Sequence, residues 1–347
     1  MSAQMKRIVL ASRPQGAADE SNFRMETVPM PEPAEGEVLV RISHFSLDPY
    51  MRGRMDAGPS YAAPQELGAV MGAGAVGRVV ASRDPGLAEG DMVFGMMGWA
   101  DHHCLPGREL RKLPEGLPPS AALGVLGMPG FTGWLGLTEF GDPQQGETLV
   151  VAAATGPVGS MVGQIARLRG LRTVGIAGGA EKCRLATETF GFDACLDHRA
   201  HDDARSLRAA LKEAAPGGVD IYFENVGGKV LEAVLPAMNT FGRIPLCGMI
   251  AWYDGTDATG PDRLPMLWRS ILVKRLAVRG FIISDHWDRL DSFLSEVAPL
   301  VMSGKVTYLE DVAEGLEAAP RAFLSMLKGG NTGKQLVRVG QALRPGR

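Results

Sequence analysis

Apolar and polar residues follow two different rhythms along this chain, and the change falls near residue 146. Up to about residue 122 the apolar runs are short and broken by Gly/Pro turns, as in EGEVLVRISHFSL, AVGRVVAS and GDMVFGMMGWADHHCL. Runs of this kind predict a β-rich region. Beyond residue 146, strand-length apolar stretches alternate with longer stretches of helical periodicity. The pattern predicts strands at 147–154, 172–178, 194–198, 219–224, 242–247 and 278–283. It predicts helices between them, notably at 157–169, 181–190, 202–215 and 228–239. Such alternation argues for a doubly wound parallel sheet. The last stretch, GLEAAPRAFLSMLKGGNTGKQLVRV, reads as one helix, a loop and a returning strand that rejoins the first region. The expected fold class is therefore α/β, with domains 1–122 plus 315–347 and 123–314.

One segment departs from both rhythms. Residues 117–138 carry no charge and are long enough to span a bilayer. They also hold Pro118, Pro119 and Pro129, with glycine at 124, 127, 130, 133 and 136. That content makes a poor isolated helix. The segment reads as a buried hinge and packing element whose small residues admit close approach of a cofactor or a second helix.

The rhythm changes at a motif that carries chemistry. GETLVVAAA (146–154) is an apolar run after a turn signal, and TGPVG then opens the helical stretch SMVGQIARLRG. A strand, a glycine turn and a helix are the parts of a dinucleotide site. Gly156 permits the tight turn, and Gly159 permits close approach to a pyrophosphate held on the free amides of the helix start, Val158 among them. The spacing is Ala153-x-x-Gly156-x-x-Gly159, so alanine stands where the fingerprint's first glycine is usual. The following strand, RTVGIAGG, ends in Gly178 and Gly179 where an NAD site places an acidic residue. Lys182 and Arg184 come just after. Without a carboxylate there is no repulsion against a 2′-phosphate, and the cations attract it. NADPH is therefore expected over NADH, with Lys182 the stronger candidate. The alternative is that both are solvated helix charges.

Composition narrows the partners. The chain has 347 residues, 45% hydrophobic and 22% charged, with a net charge of −3. That balance is ordinary for a globular protein and gives no argument for nucleic acid or an anionic membrane. Cys104, Cys183, Cys195 and Cys247 are scattered without a CxxC. A reduced, cytoplasmic protein is the simplest reading. The N-terminal MSAQMKRIVLASRP has no long apolar run or cleavage site. In Asp101-His102-His103-Cys104, adjacent strand side chains point to opposite faces and do not converge on one ion, so no metal site is expected.

Six segments together resemble a known family. LDPYMRGRM (47–55), LGMPGFTGWLGL (126–137), ATGPVGSMVGQIARLRG (154–170), YFENVGG (222–228), CGMIAWYD (247–254) and GGNTGKQLV (329–337) are similar to the zinc-independent NADPH alkenal/one oxidoreductases. That group of medium-chain dehydrogenase/reductases includes plant double-bond reductases, curcumin reductases and prostaglandin reductases. The resemblance spans nearly the whole chain. It implies a GroES-like catalytic domain beside a Rossmann domain, NADPH as cofactor, a small enone or enal substrate, and a homodimer. It also implies reduction of a C=C bond conjugated to a carbonyl. Zinc-dependent relatives carry a Gly-His-Glu segment and a lobe of four cysteines; here MGAGAVG (71–77) stands in the first place, and no cysteine cluster exists. There are departures within the group too. His198 stands where a phosphate-binding tyrosine is frequent, Trp134 where tyrosine is common, and Asp254 where asparagine is usual.

The inferred reaction needs a hydrogen-bond donor aimed at the developing enolate oxygen. Tyr253 is the leading donor, because it follows the strand end IPLCGMI, where ligands gather in open α/β sheets. The resemblance points to the same residue. Tyr50 is a second candidate as a pocket wall or a packing tyrosine, and Arg52 reads as a surface charge in preference to a clamp for a carboxylate-bearing substrate. Asn225 and Asn331 read as turn residues or cofactor contacts, and the resemblance favours contact. Thr132 is a further cofactor candidate or a helix-packing residue, while Gly248 and Ile282 lie where backbone meets a nicotinamide. His198, with Arg199 helping, is expected at the adenosine-side phosphate, more strongly when protonated. Met51, Met55, Met96, Met97 and Met128 suit an adaptable apolar cleft, although core packing is the commoner role. Two other functions share these features, a quinone reductase on the same scaffold and a non-catalytic cofactor-binding protein.

Overall fold

The computed structural model describes residues 3–58, 60–116, 118–254 and 263–340. The chain divides into two compact units, Met1–Gly124 with Glu310–Arg347, and Val125–Leu309.

The first unit is β-rich. Strands β1 (Gln4–Leu10) and β2 (Phe23–Pro29) form an antiparallel pair. The ten-residue β3 (Glu37–Ser46) leads to a short helix, α1 (Tyr50–Arg54). Four strands follow: β4 (Gly74–Ser82), β5 (Met92–Met96), β6 (His102–Pro106) and β7 (Arg111–Lys112). β3 pairs antiparallel with β4 and β6, which hides its alternate side chains Val38, Val40 and Ile42. The core centres on Trp99, fully buried among the rings of Phe23, Phe45 and Phe323. Each such ring contributes roughly 1.5–3 kcal/mol by leaving water. Met51, Met55 and Met97 lie in this core as well, whereas Met96 is exposed.

The charge-free segment is buried and packs closely, as expected of it, and much of it is helical. Helix α2 spans Met128–Leu135 and continues as wider turns over Gly136–Gly141. Its glycines allow this packing. A Cβ at Gly133 would lie 2.8 Å from the Val158 carbonyl oxygen, and one at Gly136 would lie 2.7 Å from the rings of Phe223 and Phe281. Tertiary burial therefore outweighs the poor helix propensity.

The rest of the second unit alternates as the pattern predicts. It runs β8 (Thr148–Ala152), α3 (Pro157–Leu168), β9 (Arg172–Ala177), α4 (Ala180–Glu188), β10 (Ala194–Asp197), α5 (Ala204–Ala214), β11 (Val219–Phe223), α6 (Gly228–Val234) and β12 (Met238–Leu246). It ends with α7 (Leu264–Lys274), β13 (Ala277–Gly280) and α8 (Leu290–Met302). The six strands pair in parallel in the order β10-β9-β8-β11-β12-β13. This is the doubly wound dinucleotide-binding order, whose switch point lies between β8 and β11. β8 is buried on both faces, as its unbroken apolar run requires.

The chain then returns to the first unit. β14 (Glu310–Glu314), α9 (Ala319–Leu327) and β15 (Lys334–Arg338) follow, and β15 joins that sheet between β14 and β3. Among the described residues no helix is long and apolar enough to cross a membrane.

Candidate active site

All six parallel strands point the same way, so the loops after them share one edge of the sheet. The first group of candidates lies after β8. Ala153 adopts φ 53, the left-handed conformation for which glycine is the natural residue. It costs an L-residue roughly 1–2 kcal/mol. The Gly156 amide donates to the Ala153 carbonyl at 2.9 Å and closes the turn. Gly156 is the N-cap of α3 and Pro157 its first residue. No side chain caps the first-turn amides of Val158 and Gly159, and the dipole at such a helix start favours negative charge. A Cβ on Gly159 would overlap the Ala153 carbonyl oxygen and stand 2.9 Å from its carbon. Both obstacles are backbone, so Gly159→Ala must distort the turn. Overpacking of this kind costs about 1–3 kcal/mol, and the expected result is a loss of about 10- to 100-fold in NADPH affinity by fluorescence titration.

The second group lies after β9 and β10. A Cβ on Gly178 would be 2.9 Å from Arg199 Nε and 3.0 Å from His198 Nε2, so the glycine makes room for both side chains. Asp197, at the end of β10, accepts hydrogen bonds from the amides of Gly179 at 2.7 Å and Arg199 at 2.9 Å. Lys229 Nζ donates to the carbonyls of His198 at 2.8 Å and His201 at 2.5 Å. Burial, and after it the charges of Lys229, Arg199 and Lys182, hold the His198 imidazole below its ordinary pKa. The ring is therefore neutral at pH 7, and a phosphate there meets a neutral donor beside fixed cations. Arg184 stands apart, largely exposed and 3.9 Å from Glu188 one turn on. Lys229 and Asp197 escaped the sequence reading. The only signal for Lys229 was a lysine directly after the Gly-Gly of a strand-end loop. If Lys182 contacts the 2′-phosphate, Lys182→Ala should lower the NADPH/NADH affinity ratio about tenfold, since a hydrogen bond to a charged group is worth about 1.5–3 kcal/mol. An unchanged ratio would remove Lys182 from the site.

The third group lies after β11 and β12. Asn225 Nδ2 donates to the Ala152 carbonyl at 2.9 Å, tying the ends of β11 and β8 across the switch point. The amides of Ile250 and Ala251 donate to the carbonyls of Asn225 and Val226. This seats the short 3-10 turn Ile250–Trp252 that ends at Tyr253. A Cβ on Gly248 would lie 3.4 Å from both the Tyr253 hydroxyl and the Asn225 carbonyl, so the three residues adjoin. Burial pushes the Tyr253 phenol above its ordinary pKa although the Met249 amide opposes it, and the hydroxyl remains a donor at neutral pH. Beneath them Glu224 is almost fully buried and accepts from the amides of Val226 at 2.6 Å and Gly227 at 2.9 Å. Its burial raises the carboxyl. This shaping residue was unmarked in the sequence. Ile282 is half-buried two residues past β13. Thr132 bonds the Met128 carbonyl of its own helix at 2.7 Å.

The first unit holds the remaining candidates. Tyr50 opens α1 and packs against the core, and burial and the nearby Asp48 carboxylate keep its phenol protonated. Asp48 is paired with Lys334, whose Nζ lies 2.7 Å from both Asp48 Oδ1 and the Leu47 carbonyl. Asn331 Nδ2 donates to the Gly333 carbonyl at 2.8 Å. Arg52 corrects the surface reading. It is 2% exposed, donating to the Gly16 carbonyl at 2.6 Å and to Asp56 at 2.9 Å. A distant carbonyl and a carboxylate one turn on let a guanidinium be buried.

The strand order and the glycine turn define a dinucleotide-binding oxidoreductase scaffold. Residues 6–113 match the family described as the N-terminal domain of oxidoreductase, and residues 157–298 the one described as zinc-binding dehydrogenase. The NADPH-dependent curcumin reductase of Escherichia coli (strain K12) is 52% identical over 96% of each chain. The 2-alkenal reductase (NADP(+)-dependent) of Nicotiana tabacum is 40% identical over 96% of this chain and 97% of its own. The crystal structure of CurA in complex with NADPH from Vibrio vulnificus superposes with a TM-score of 0.92 at 48% identity, covering 97% of this chain and 99% of that one. The chain belongs to the zinc-independent medium-chain dehydrogenase/reductase family, with the curcumin, alkenal and prostaglandin reductases.

The residues do not fit the zinc ion of the wider class. In Asp101–Cys104, His102 Nδ1 turns to Asp101 at 3.0 Å, while the Cys104 thiol lies 3.5 Å from Glu37. Burial, with Glu37, pushes that thiol up to about 11. Among the described residues no three His, Cys, Asp or Glu side chains are placed to hold a metal.

Proposed function

We propose that this chain reduces the C=C bond of α,β-unsaturated aldehydes and ketones with NADPH. The observation that carries the reading is the protonated Tyr253 hydroxyl beside Gly248 and Asn225, at the strand ends next to the switch point. The named activities of the curcumin and alkenal reductases support it. The glycine turn with open first-turn amides, and the cation cluster around Gly178, suit a dinucleotide carrying a 2′-phosphate.

When bound, the cofactor supplies the hydride taken up by the substrate's β-carbon. The chain's own residues do the rest. Val158 and Gly159 amides would hold the pyrophosphate, while Lys182, His198 and Arg199 would hold the 2′-phosphate. Asn225, Asn331, Thr132, Gly248 and Ile282 are the remaining candidate contacts. Tyr253 donates a hydrogen bond to the carbonyl oxygen as it gains enolate charge, which lowers the barrier because the dipole is fixed in advance. Tyr50 is the second candidate donor. A proton delivered to the α-carbon then completes the saturated carbonyl.

A second copy of this chain is the partner this reading favours. β13 closes one end of the six-stranded sheet and is exposed along its whole length. An open edge strand invites pairing. Trp268 and Leu272, one turn apart on the preceding helix α7, are 62% and 77% exposed.

The test is NADPH oxidation with a 2-alkenal, an aryl enone, a 15-keto prostaglandin and a simple quinone, each repeated with NADH and with the product identified. Saturated carbonyl products formed with NADPH are expected. Turnover of the quinone alone would replace the proposal with a quinone reductase. Tight NADPH binding without turnover would replace it with a cofactor-binding protein.

A further inference from the structure

Two of the four cysteines meet beside the phosphate cradle. Cys183 lies in the first turn of α4 and Cys195 on β10, with their sulfurs 3.1 Å apart. A disulfide is about 2.05 Å long, so roughly 1 Å of approach separates this pair from a bond. Both thiols are free and half-buried. Cys195 sits opposite Gly175 on β9, and a Cβ there would lie 3.2 Å from its sulfur, so the glycine leaves room for the side chain. The pair is flanked by the cradle, with Lys182 directly before Cys183 and Asp197, His198 and Arg199 just after Cys195. The two thiols are unequal. The Cys195 thiol donates to Cys183 and pulls it below its ordinary pKa, and the Ala177 backbone assists against burial and Asp197. The same contact and burial push Cys195 far up. Cys183 is thus the sulfur disposed to react as thiolate.

We propose that Cys183 and Cys195 form a peroxide-sensitive dithiol, and that its oxidation to a disulfide loosens the hold on the cofactor's 2′-phosphate. The Cys183 thiolate attacks one oxygen of a hydroperoxide. The O–O bond breaks, the leaving oxygen departs as water or alcohol after taking up a proton, and Cys183 becomes a sulfenic acid. The Cys195 sulfur then attacks that sulfur, forming the S–S bond, and the hydroxyl leaves as water with the Cys195 proton. Two electrons pass from the two thiols to the peroxide. The bond draws the start of α4 towards β10, closing the gap between Lys182 and the His198–Arg199 turn in which the phosphate is received. This second clause rests on the NADPH reading above; formation of the disulfide does not.

The experiment treats the full-length reduced protein with hydrogen peroxide and follows peptide mass and cofactor affinity together. A tryptic disulfide joining Cys183–Arg184 to Leu185–Arg199 is expected. A rise of about tenfold in the NADPH dissociation constant should accompany it, with NADH affinity little changed. Dithiothreitol should restore both, and Cys183→Ser should bind NADPH like the reduced protein without responding to peroxide. Cys195→Ser serves as the second variant if the first fails to fold. No crosslink between these cysteines, or over-oxidation in its place, would overturn the proposal. A crosslink with unaltered NADPH affinity would overturn its regulatory half. The reduced protein's NADPH/NADH affinity ratio separates the two readings, because a ratio near one overturns the phosphate assignment while the mass result still decides the dithiol.

Discussion

Lys334→Met is expected to destabilise the first unit by about 3–5 kcal/mol, the usual cost of breaking a buried ion pair by removing one partner. Lys334 and Asp48 side chains are only 3% and 7% exposed. Burial alone drives the Lys334 pKa down, and the Asp48 carboxylate, with a smaller part from Glu310, opposes this. Removing the ammonium leaves Asp48 with the Ser46 hydroxyl but no cation, and leaves the Leu47 carbonyl without its donor. The partners are 286 residues apart and clamp β15 to the turn between β3 and α1. The lost stability should therefore appear as a lower urea midpoint together with a loosened Tyr50 segment. Adding Asp48→Asn to Lys334→Met should recover part of the loss, because the uncompensated charge disappears. A midpoint within experimental scatter of the parent would show that the pair is not a structural clamp.

Pairs such as this mark the limit of what the chain's pattern reveals. β8 and its glycine turn were legible because an unbroken apolar run and a fixed glycine spacing are local signals. The six parallel strands were legible because each is a short apolar run bounded by turn residues; five lie close to the expected ranges, while β12 begins at Met238, inside the helix expected over 228–239. β14 was not, since its sequence EDVAE carries three acids and little apolar alternation. It forms because β15 offers a parallel edge. The helix within 117–138 was hidden by its prolines and glycines, which tertiary packing needs and an isolated helix does not tolerate. Arg52 was misread because a charge implies solvent until its Gly16 and Asp56 partners are known.

The same distinction runs through the candidate site. Ala153, Gly156, Val158 and Gly159 fall in one turn because they are neighbours in sequence. Gly178, Lys182 and His198 meet only because β9 and β10 are adjacent, which spacing along the chain does not state. The Cys183–Cys195 contact arises in the same way. Twelve residues of separation match no thiol motif, but a helix start and the neighbouring strand bring the sulfurs together. Asn225, Gly248 and Tyr253 adjoin because parallel strands deliver their following loops to one edge. A strand-end location was readable from each motif, whereas the 3.4 Å packing of Gly248 on the Tyr253 hydroxyl was not.

That packing makes the second large prediction specific. If Tyr253 donates to the enolate oxygen, Tyr253→Phe should lower kcat with a 2-alkenal by about 10²–10³-fold, as removal of one preorganised donor does elsewhere. Only the hydroxyl that adjoins Gly248 is lost while the ring is kept, so NADPH affinity should change less than threefold and the fold should be kept. The interaction strengthens as charge develops, and kcat should therefore fall more than KM rises. Single-turnover rates with deuterated NADPH identify the affected step, since slowed hydride transfer carries an isotope effect that product release would not. Water can replace a phenol only by occupying space that phenylalanine leaves apolar, so little rescue is expected. Parental single-turnover rates in Tyr253→Phe would take Tyr253 out of the mechanism; Tyr50→Phe is the matching measurement for the second candidate donor.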